Sequence, residues 1–373
     1  MAVPSSRTLN YDALLSLTLE YTRKKLFDQV FSDSVFLAAL YGKFGKRKKQ
    51  GKGIRMINGG ERIRIPLMYE ANTTAKSYSG YDVLDVTPSD GITAAFATWR
   101  QAAVSIAISR KEERQNSGEA ALVGLLDSKI DQARMSLTQE LNYQLLGKTV
   151  SSGAWSAGNS GKDLDPLGLY LPKDPTASVS VENINQATYA WWRGRTVDGS
   201  AAHAGKDAGA ERGFLCSSWA NLISAMRYCY NRCTIGAGGS PDLIISDQLS
   251  YESYEGALDT RSRIVNESDG PVSAGFTSIK FKGADMVWDE MIPDLDGGYV
   301  YSSSSWSTGT MFFLNLEFLE LVMDSETDFI TTPFVRPENQ DAKVAQILAM
   351  MNLTCTNRRK LGVLYGIPVP VTA

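Results

Sequence analysis

Histidine is almost missing from this chain of 373 residues, which holds one, His203. Imidazole-based metal sites and imidazole-activated nucleophiles thereby lose their commonest component. His203 sits in Ala201-Ala202-His203-Ala204-Gly205, a loop composition without an acidic neighbour, and reads as a solvated side chain. Cysteine is scarce too: Cys216, Cys229, Cys233 and Cys355 contain no Cys-x-x-Cys pair. That excludes a disulfide framework and fits a reducing compartment. Cys229 and Cys233, four apart on an expected helix, offer either half a metal site or two small groups facing a core; no second pair stands near, which favours the core. There is no run of about 18 apolar residues, so no membrane-spanning helix is expected. Nor does the N-terminus have the charged start and apolar centre of a signal peptide. A soluble protein made in the cytoplasm is the expectation.

The familiar catalytic motifs are absent together: no G-x-S-x-G, H-E-x-x-H or G-x-G-x-x-G occurs. Gly147-Lys148-Thr149 ends like a phosphate loop, but Asn142 stands where the first glycine of such a loop belongs. Asp294-Leu295-Asp296-Gly297 begins like a calcium loop and lacks the closing glutamate. No catalytic residue, cofactor or metal is therefore expected. Excess positive charge is lacking as well, since the net charge is -3. A dedicated nucleic-acid binder normally carries a basic face, so contact with DNA is expected to be weak and unspecific.

What is present is a chain of ordinary hydrophobic content, 43%, long enough for two compact lobes. Residues 1–55 hold eleven Lys or Arg against four Asp or Glu. Within them 10–31 and 33–41 read as helices, and 43–53 is a basic stretch without a core pattern. Lys46, Arg47, Lys48 and Lys49, beside Phe44, Lys52 and Arg55, fit a solvated arm and contact with a neighbouring chain or phosphates equally well. From 54 to 109 the pattern becomes alternation. Ile63, Ile65 and Leu67 interleave with Arg62, Arg64 and Pro66, Ala95, Ala97 and Trp99 alternate later, and a turn-rich tip around Tyr78, Tyr81 and Asp82 lies between. A long two-stranded ribbon follows, which cannot bury both faces alone and needs another surface.

The clearest helix is expected over 116–147, where Leu122, Leu126, Ile130, Ala133, Leu137, Leu141 and Leu145 repeat at spacings of three and four. Asn116 with Glu119 resembles a capping box, and Gly147 is a stop. Its roughly 29 residues would extend about 44 Å, so it reads as a spine. A mixed region to about residue 326 includes expected helices over 218–233 and 247–257 and a buried strand at Leu243-Ile244-Ile245. Trp191-Trp192 exposes much apolar area unless packed and reads as structural. Over 343–355, Ala345, Ile347, Ala349, Met351, Leu353 and Cys355 alternate, predicting a long strand with a long partner.

This order of elements is α+β, and it resembles the tailed-bacteriophage major capsid proteins of the Hong Kong 97-like capsid fold. Local segments carry the likeness: Gly59-Gly60-Glu61-Arg62-Ile63, Tyr78-Ser79-Gly80-Tyr81-Asp82, Trp99-Arg100-Gln101-Ala102-Ala103, Asn116-Ser117-Gly118-Glu119-Ala120, Tyr189-Ala190-Trp191-Trp192-Arg193, Pro241-Asp242-Leu243-Ile244-Ile245 and 357–364. The resemblance implies an N-terminal arm over 1–53 and an extended β-ribbon loop over 54–110. It further implies a peripheral lobe from 111–164 and 326–373 carrying the spine helix, and an axial lobe over 165–325. Such a subunit tiles through hexamers and pentamers into an icosahedral shell around double-stranded DNA, a virion capsid put together in the host bacterial cytoplasm. Contacts between copies are then expected at Arg62, Arg64, Tyr78, Tyr81 and Asp82 and in the arm at Lys46, Arg47, Lys48 and Lys49. Portal, scaffolding and decoration proteins are further implied partners, and the arm's start near Met1 leads to the expectation of a separate scaffold. Removing 1–53 is expected to leave a folded chain that assembles poorly. Two other readings stay open: an encapsulin-like shell around protein cargo, and a cytoplasmic enzyme with a pocket built from Ala237-Gly238-Gly239 and the carboxylates Asp285, Asp289 and Glu290.

Overall fold

Alternation decides which side of a strand turns inward, because successive side chains point to opposite faces. The computed structural model describes residues 35–40, 54–88, 90–115, 125–146, 150–151, 154–155, 158–207, 209–236, 238–259, 279–289, 291–292, 308–338, 340–368 and 371. In chain order its strands are β1 (Ile54–Ile57), β2 (Arg62–Met68), β3 (Ile92–Thr98), β4 (Arg100–Ser109), β5 (Val150–Ser151), β6 (Ala154–Trp155), β7 (Ser180–Val181), β8 (Ile184–Asn185), β9 (Arg195–Asp198), β10 (Arg212–Gly213), β11 (Leu243–Ser246), β12 (Ile279–Phe281), β13 (Ala284–Trp288), β14 (Thr308–Leu314), β15 (Leu319–Asp324), β16 (Ile330–Thr331), β17 (Ala342–Cys355) and β18 (Gly362–Pro368). They fall into two compact units, one including Ala103–Gln139 and Phe329–Leu348, the other Ser34–Ala102, Glu140–Asp328 and Ala349–Ala373.

In the first unit, β4 leads directly into a helix over Arg110–Gln115. Ser109 and Glu112 open it reciprocally: the Glu112 amide donates to Ser109 Oγ at 3.3 Å and the Ser109 amide to Glu112 Oε2 at 3.2 Å. This is a capping box that satisfies two otherwise orphaned amides. Lys129 bridges back with its ammonium 2.9 Å from Glu112 Oε2. The long helix spans Leu125–Leu146, belonging to the first unit up to Gln139 and to the second beyond it, and its Ala133, Leu137, Leu141 and Leu145 are buried as their spacing requires. Asn116, Glu119 and Gly147, the expected ends of that helix, lie outside the described residues.

The second unit is organised on a seven-stranded mixed sheet of order β10-β9-β18-β14-β11-β13-β12. Helices over Trp219–Thr234 and Gln248–Asp259 pack on it, close to the expected 218–233 and 247–257. Leu222, Met226, Cys229, Phe313, Leu364 and Met286 meet in the core between them. Each fully buried aliphatic side chain there contributes about 1.5–3 kcal/mol. Cys229 and Cys233 both face inward against Gly362, where an added Cβ would stand 2.8 and 2.6 Å from their sulfurs. The four-residue spacing thus serves close packing of helix on strand.

β17 runs for 14 residues with Ala345, Ile347, Ala349, Met351, Leu353 and Cys355 buried. The expected single long partner is replaced by several shorter ones: β17 pairs with β4, β15 and β16. β15 in turn takes β1 in parallel, with Ile54 beside Leu321. The ribbon expected over 54–110 is accordingly shorter. Only β2 and β3 pair with each other, from Arg62 with Thr98 to Met68 with Ile92, because β1 and β4 are taken up by other strands. Of the expected arm, the described part is a helix over Val35–Leu40, all six side chains buried and packed toward β15. Deleting 1–53 would therefore remove six apolar side chains from the core, so a cut that spares the core has to fall before Val35. The helix expected over 10–31 lies outside the described residues.

Candidate interaction surface and the core that presents it

The hairpin of β2 and β3 has one face turned to the body and one to water. Ile65, Leu67 and Ala95 pack with Ile184 and Trp192, while Ile63 and Ala97 pack with Val322. Trp192 is buried, its indole donating to Val181 O at 3.1 Å. Trp191 stacks on Tyr69 with ring centroids 5.2 Å apart. These contacts supply from within the chain the surface the ribbon was expected to need elsewhere, at least for its paired stem.

Behind the tryptophans lies a buried polar knot. Arg358 donates to Tyr170 O at 2.7 and 3.0 Å, Trp192 O at 2.8 Å and Gln186 Oε1 at 3.0 Å. Burial brings its guanidinium down to about 10, so it remains charged at neutral pH. Glu182 enters the same region from the turn between β7 and β8, where it and Asn183 take left-handed backbone angles, φ 50 and 66°. Its carbonyl accepts from Phe96 N at 3.0 Å, and its Oε1 accepts from Cys355 N at 2.9 Å and Tyr170 OH at 3.2 Å. One residue thus ties the hairpin, the end of β17 and the Tyr170 segment together. Burial pushes the Glu182 carboxyl up to about 8, with Arg358 opposing and Asp165 adding to the rise.

Two residues beyond Arg358, Lys360 is also buried. It donates to the carbonyls of Thr234, Ile235, Gly236 and Gly239, closing the C-terminal end of the Trp219–Thr234 helix, where a cation is favoured. Asn315 donates to Gly238 O at 3.0 Å. The Gly238-Gly239 turn is therefore filled by the chain's own ammonium and amide groups. Asp285 lies beside Leu243 in register, and the Asp289 amide bonds Ser246 O at the other end of the same strand. Asp285 and Asp289 thus stand at opposite ends of β11, and Gly238-Gly239 lie in the turn before it; Ala237 and Glu290 lie outside the described residues. Among the described residues no group of three His, Cys, Asp or Glu could hold a metal ion, and no helix is long and apolar enough to cross a membrane.

Beyond the stem the hairpin changes character. Tyr69 N bonds Gly91 O at 3.0 Å, and past that closure nearly every described side chain faces water. Tyr81 is fully exposed, Val86 90% and Val83 88%, and Tyr78 and Leu84 are exposed with them. Several large apolar groups gathered on one tip mark an interaction site, unlike scattered single ones. The tip is nonetheless locally ordered. Asn72 Oδ1 accepts from Thr74 N at 2.9 Å, Asp82 Oδ2 from Ser79 N at 2.8 Å, and Asp85 Oδ1 from Thr87 N at 3.0 Å. The Thr87 bonds hold the Asp85 carboxyl below its usual range.

Of the residues singled out by sequence, the hairpin brings Tyr78, Tyr81 and Asp82 together at its tip and leaves Arg62 and Arg64 exposed on the outer face of its stem. Lys46, Arg47, Lys48 and Lys49 lie outside the described residues, as does the side chain of His203. Sequence reasoning missed Glu182, Arg358, Lys360 and the Ser109 cap. The cap had a readable signal in Ser109-Arg110-Lys111-Glu112, and Arg358 and Lys360 stand at alternate positions of a basic run. Glu182 had none.

No family model matches the sequence, and no curated protein matches it. Solved structures do. The chain is similar to a subunit of the cyanophage A-1(L) capsid, with 15% identity, 94% of this chain and 98% of that one covered, and a TM-score of 0.62. It is similar to the holo-SrpI encapsulin from Synechococcus elongatus, with 7% identity, 97% and 96% covered, TM-score 0.56. It is also similar to the capsid subunit of a native GTA particle, with 8% identity, 94% and 95% covered, TM-score 0.53. The chain has the Hong Kong 97-like fold of these shell subunits over nearly its whole length.

Proposed function

We propose that this chain is the major capsid protein of a tailed bacteriophage, a structural subunit without catalysis that assembles through hexamers and pentamers into an icosahedral shell around double-stranded DNA. The observation that carries the reading is the hairpin: a stem clamped to the body presents an apolar tip that lies exposed among the described residues. A lone enzyme has no use for such a tip, whereas repeated heterologous contacts between copies bury it many times over. The fold shared with capsid subunits supports the same conclusion.

On this reading 1–53 is an arm anchored to the body through Val35–Leu40, 54–110 the extended loop whose paired stem is β2 and β3, 111–164 with 326–373 the peripheral lobe and 165–325 the axial lobe. Arg62, Arg64, Tyr78, Tyr81 and Asp82, with Lys46, Arg47, Lys48 and Lys49, contact other copies. Portal, scaffolding and decoration proteins are partners, packaged DNA is touched without specificity, and the shell forms in the host bacterial cytoplasm. The likeness to an encapsulin favours one second reading, a shell around protein cargo. Expression of the full chain with the scaffold of its own genome, followed by negative-stain microscopy, tests both. Closed particles that protect DNA from nuclease during infection are expected, and particles filled with one co-purified protein would favour the second reading. A chain that stays monomeric at every concentration, scaffold included, would sink both.

A further inference from the structure

We infer that the acidic, apolar tip of one copy's hairpin seats on the cationic, apolar outer face of the next copy's hairpin stem. This rests on the shell reading and specifies which surfaces meet. Between Tyr69 and Gly91 the tip carries Glu70, Asp82, Asp85 and Asp90 against one base, Lys76, all exposed. The stem has the opposite sign: β2 and β3 contain Arg62 and Arg64 and no acidic residue. Arg62 reaches the highly exposed Glu61 at 3.6 Å, a pair that solvent screens strongly, and Arg64 makes no ion pair among the described residues. Farther along the same outer face, at the tip end of the stem, Met68 is 82% and Ile92 69% exposed where they pair.

Both surfaces are thus half-greasy, oppositely charged and exposed among the described residues of the single chain. A second copy is the occupant that matches both at once, because each copy then offers one tip and one seat. Such a contact is heterologous, and repeating it gives a ring where the rotation between copies closes. Opposite charges fix partner and register more than they add affinity. The three turns already bonded within the tip lower the ordering cost of docking.

The test uses the full chain, with scaffold, and a charge exchange. Asp82→Lys with Asp85→Lys reverses the tip, and Arg62→Glu with Arg64→Glu reverses the stem. Each pair alone is expected to lower the yield of sedimentable particles about tenfold or more, and all four together to restore it to within about threefold of the native chain. Asp82→Asn with Asp85→Asn keeps the turn acceptors and removes the charge, so its loss of yield reads charge without disturbing the turns. Independently, Tyr81→Cys with Arg64→Cys is expected to give oxidised particles that run as covalent ladders up to pentamer and hexamer. If the native chain forms shells and the variants melt as it does, yet the exchange rescues nothing and no ladder appears, the tip-to-stem contact is wrong while the shell reading stands. If the native chain forms no shell, both fall.

Discussion

Ile63, Ile65 and Leu67 on the hairpin stem and Tyr81, Val83 and Val86 on its tip are comparable apolar side chains in one stretch of chain, yet the first three are shielded and the last three face water. The difference is what stands behind them. The stem lies over Trp192, Ile184 and Val322, with Arg358 holding the Trp192 carbonyl and Glu182 the Phe96 amide, whereas past the Tyr69 to Gly91 closure the described contacts are those within the tip. Apolar pattern states that a face must be covered; the supporting polar residues decide whether the same chain does the covering.

Arg358→Met attacks the stem's backing most directly and should have the largest effect. It leaves the carbonyls of Tyr170 and Trp192 and the Gln186 amide oxygen buried without their donor, at about 3–5 kcal/mol. Denaturant unfolding of the unassembled chain measures the loss; a wild-type midpoint would detach the knot from the stem's stability. Next comes pH. Glu182 ionises near 4.5 when unfolded and about 8 when folded. Below 4.5 it is protonated in both states, and between 4.5 and about 8 the folded chain holds a proton the unfolded chain has released. Stability therefore falls as pH rises through that window, by an amount on the order of a few kcal/mol. Glu182→Gln should flatten that fall, and equal pH profiles for the two chains would refute the assignment. Gly362→Ala should cost about 1–3 kcal/mol by overpacking against Cys229 and Cys233, with Cys233→Ala in the same chain returning part of it in thermal melts. The smallest stability change is expected at the tip: Tyr81→Ser with Val86→Ser should stay within about 0.5 kcal/mol of the native chain and yet abolish particles in sedimentation. A large melting shift there would mean that the tip is part of the body.

Period-two and helical spacings made the stem, the long helix and the 342–355 strand legible, because each is a local pattern that the fold obeys. Pairing was not legible, since Ile54 finds Leu321 and Leu243 finds both Leu314 and Asp285, and nothing local encodes such distant partners. The ribbon was read as too long for that reason: β1 and β4 look like its continuation until their partners are known. At the site, the exposed tip was readable as turn-rich and aromatic. The knot beneath it was not, because Arg358, Lys360 and Glu182 are charged residues whose burial depends on carbonyls supplied from elsewhere in the chain.

The narrow neck at Tyr69 and Gly91 has one more implication. An added Cβ at Gly91 would stand 2.7 Å from Glu70 O, so the two backbones are pinched together where the tip begins, and the stem below reads only that pinch. Whatever is spliced between those two residues inherits the same mounting. Exchanging 70–90 for another segment of matching ends should therefore change the surface the hairpin displays while leaving the packing of its stem as it is.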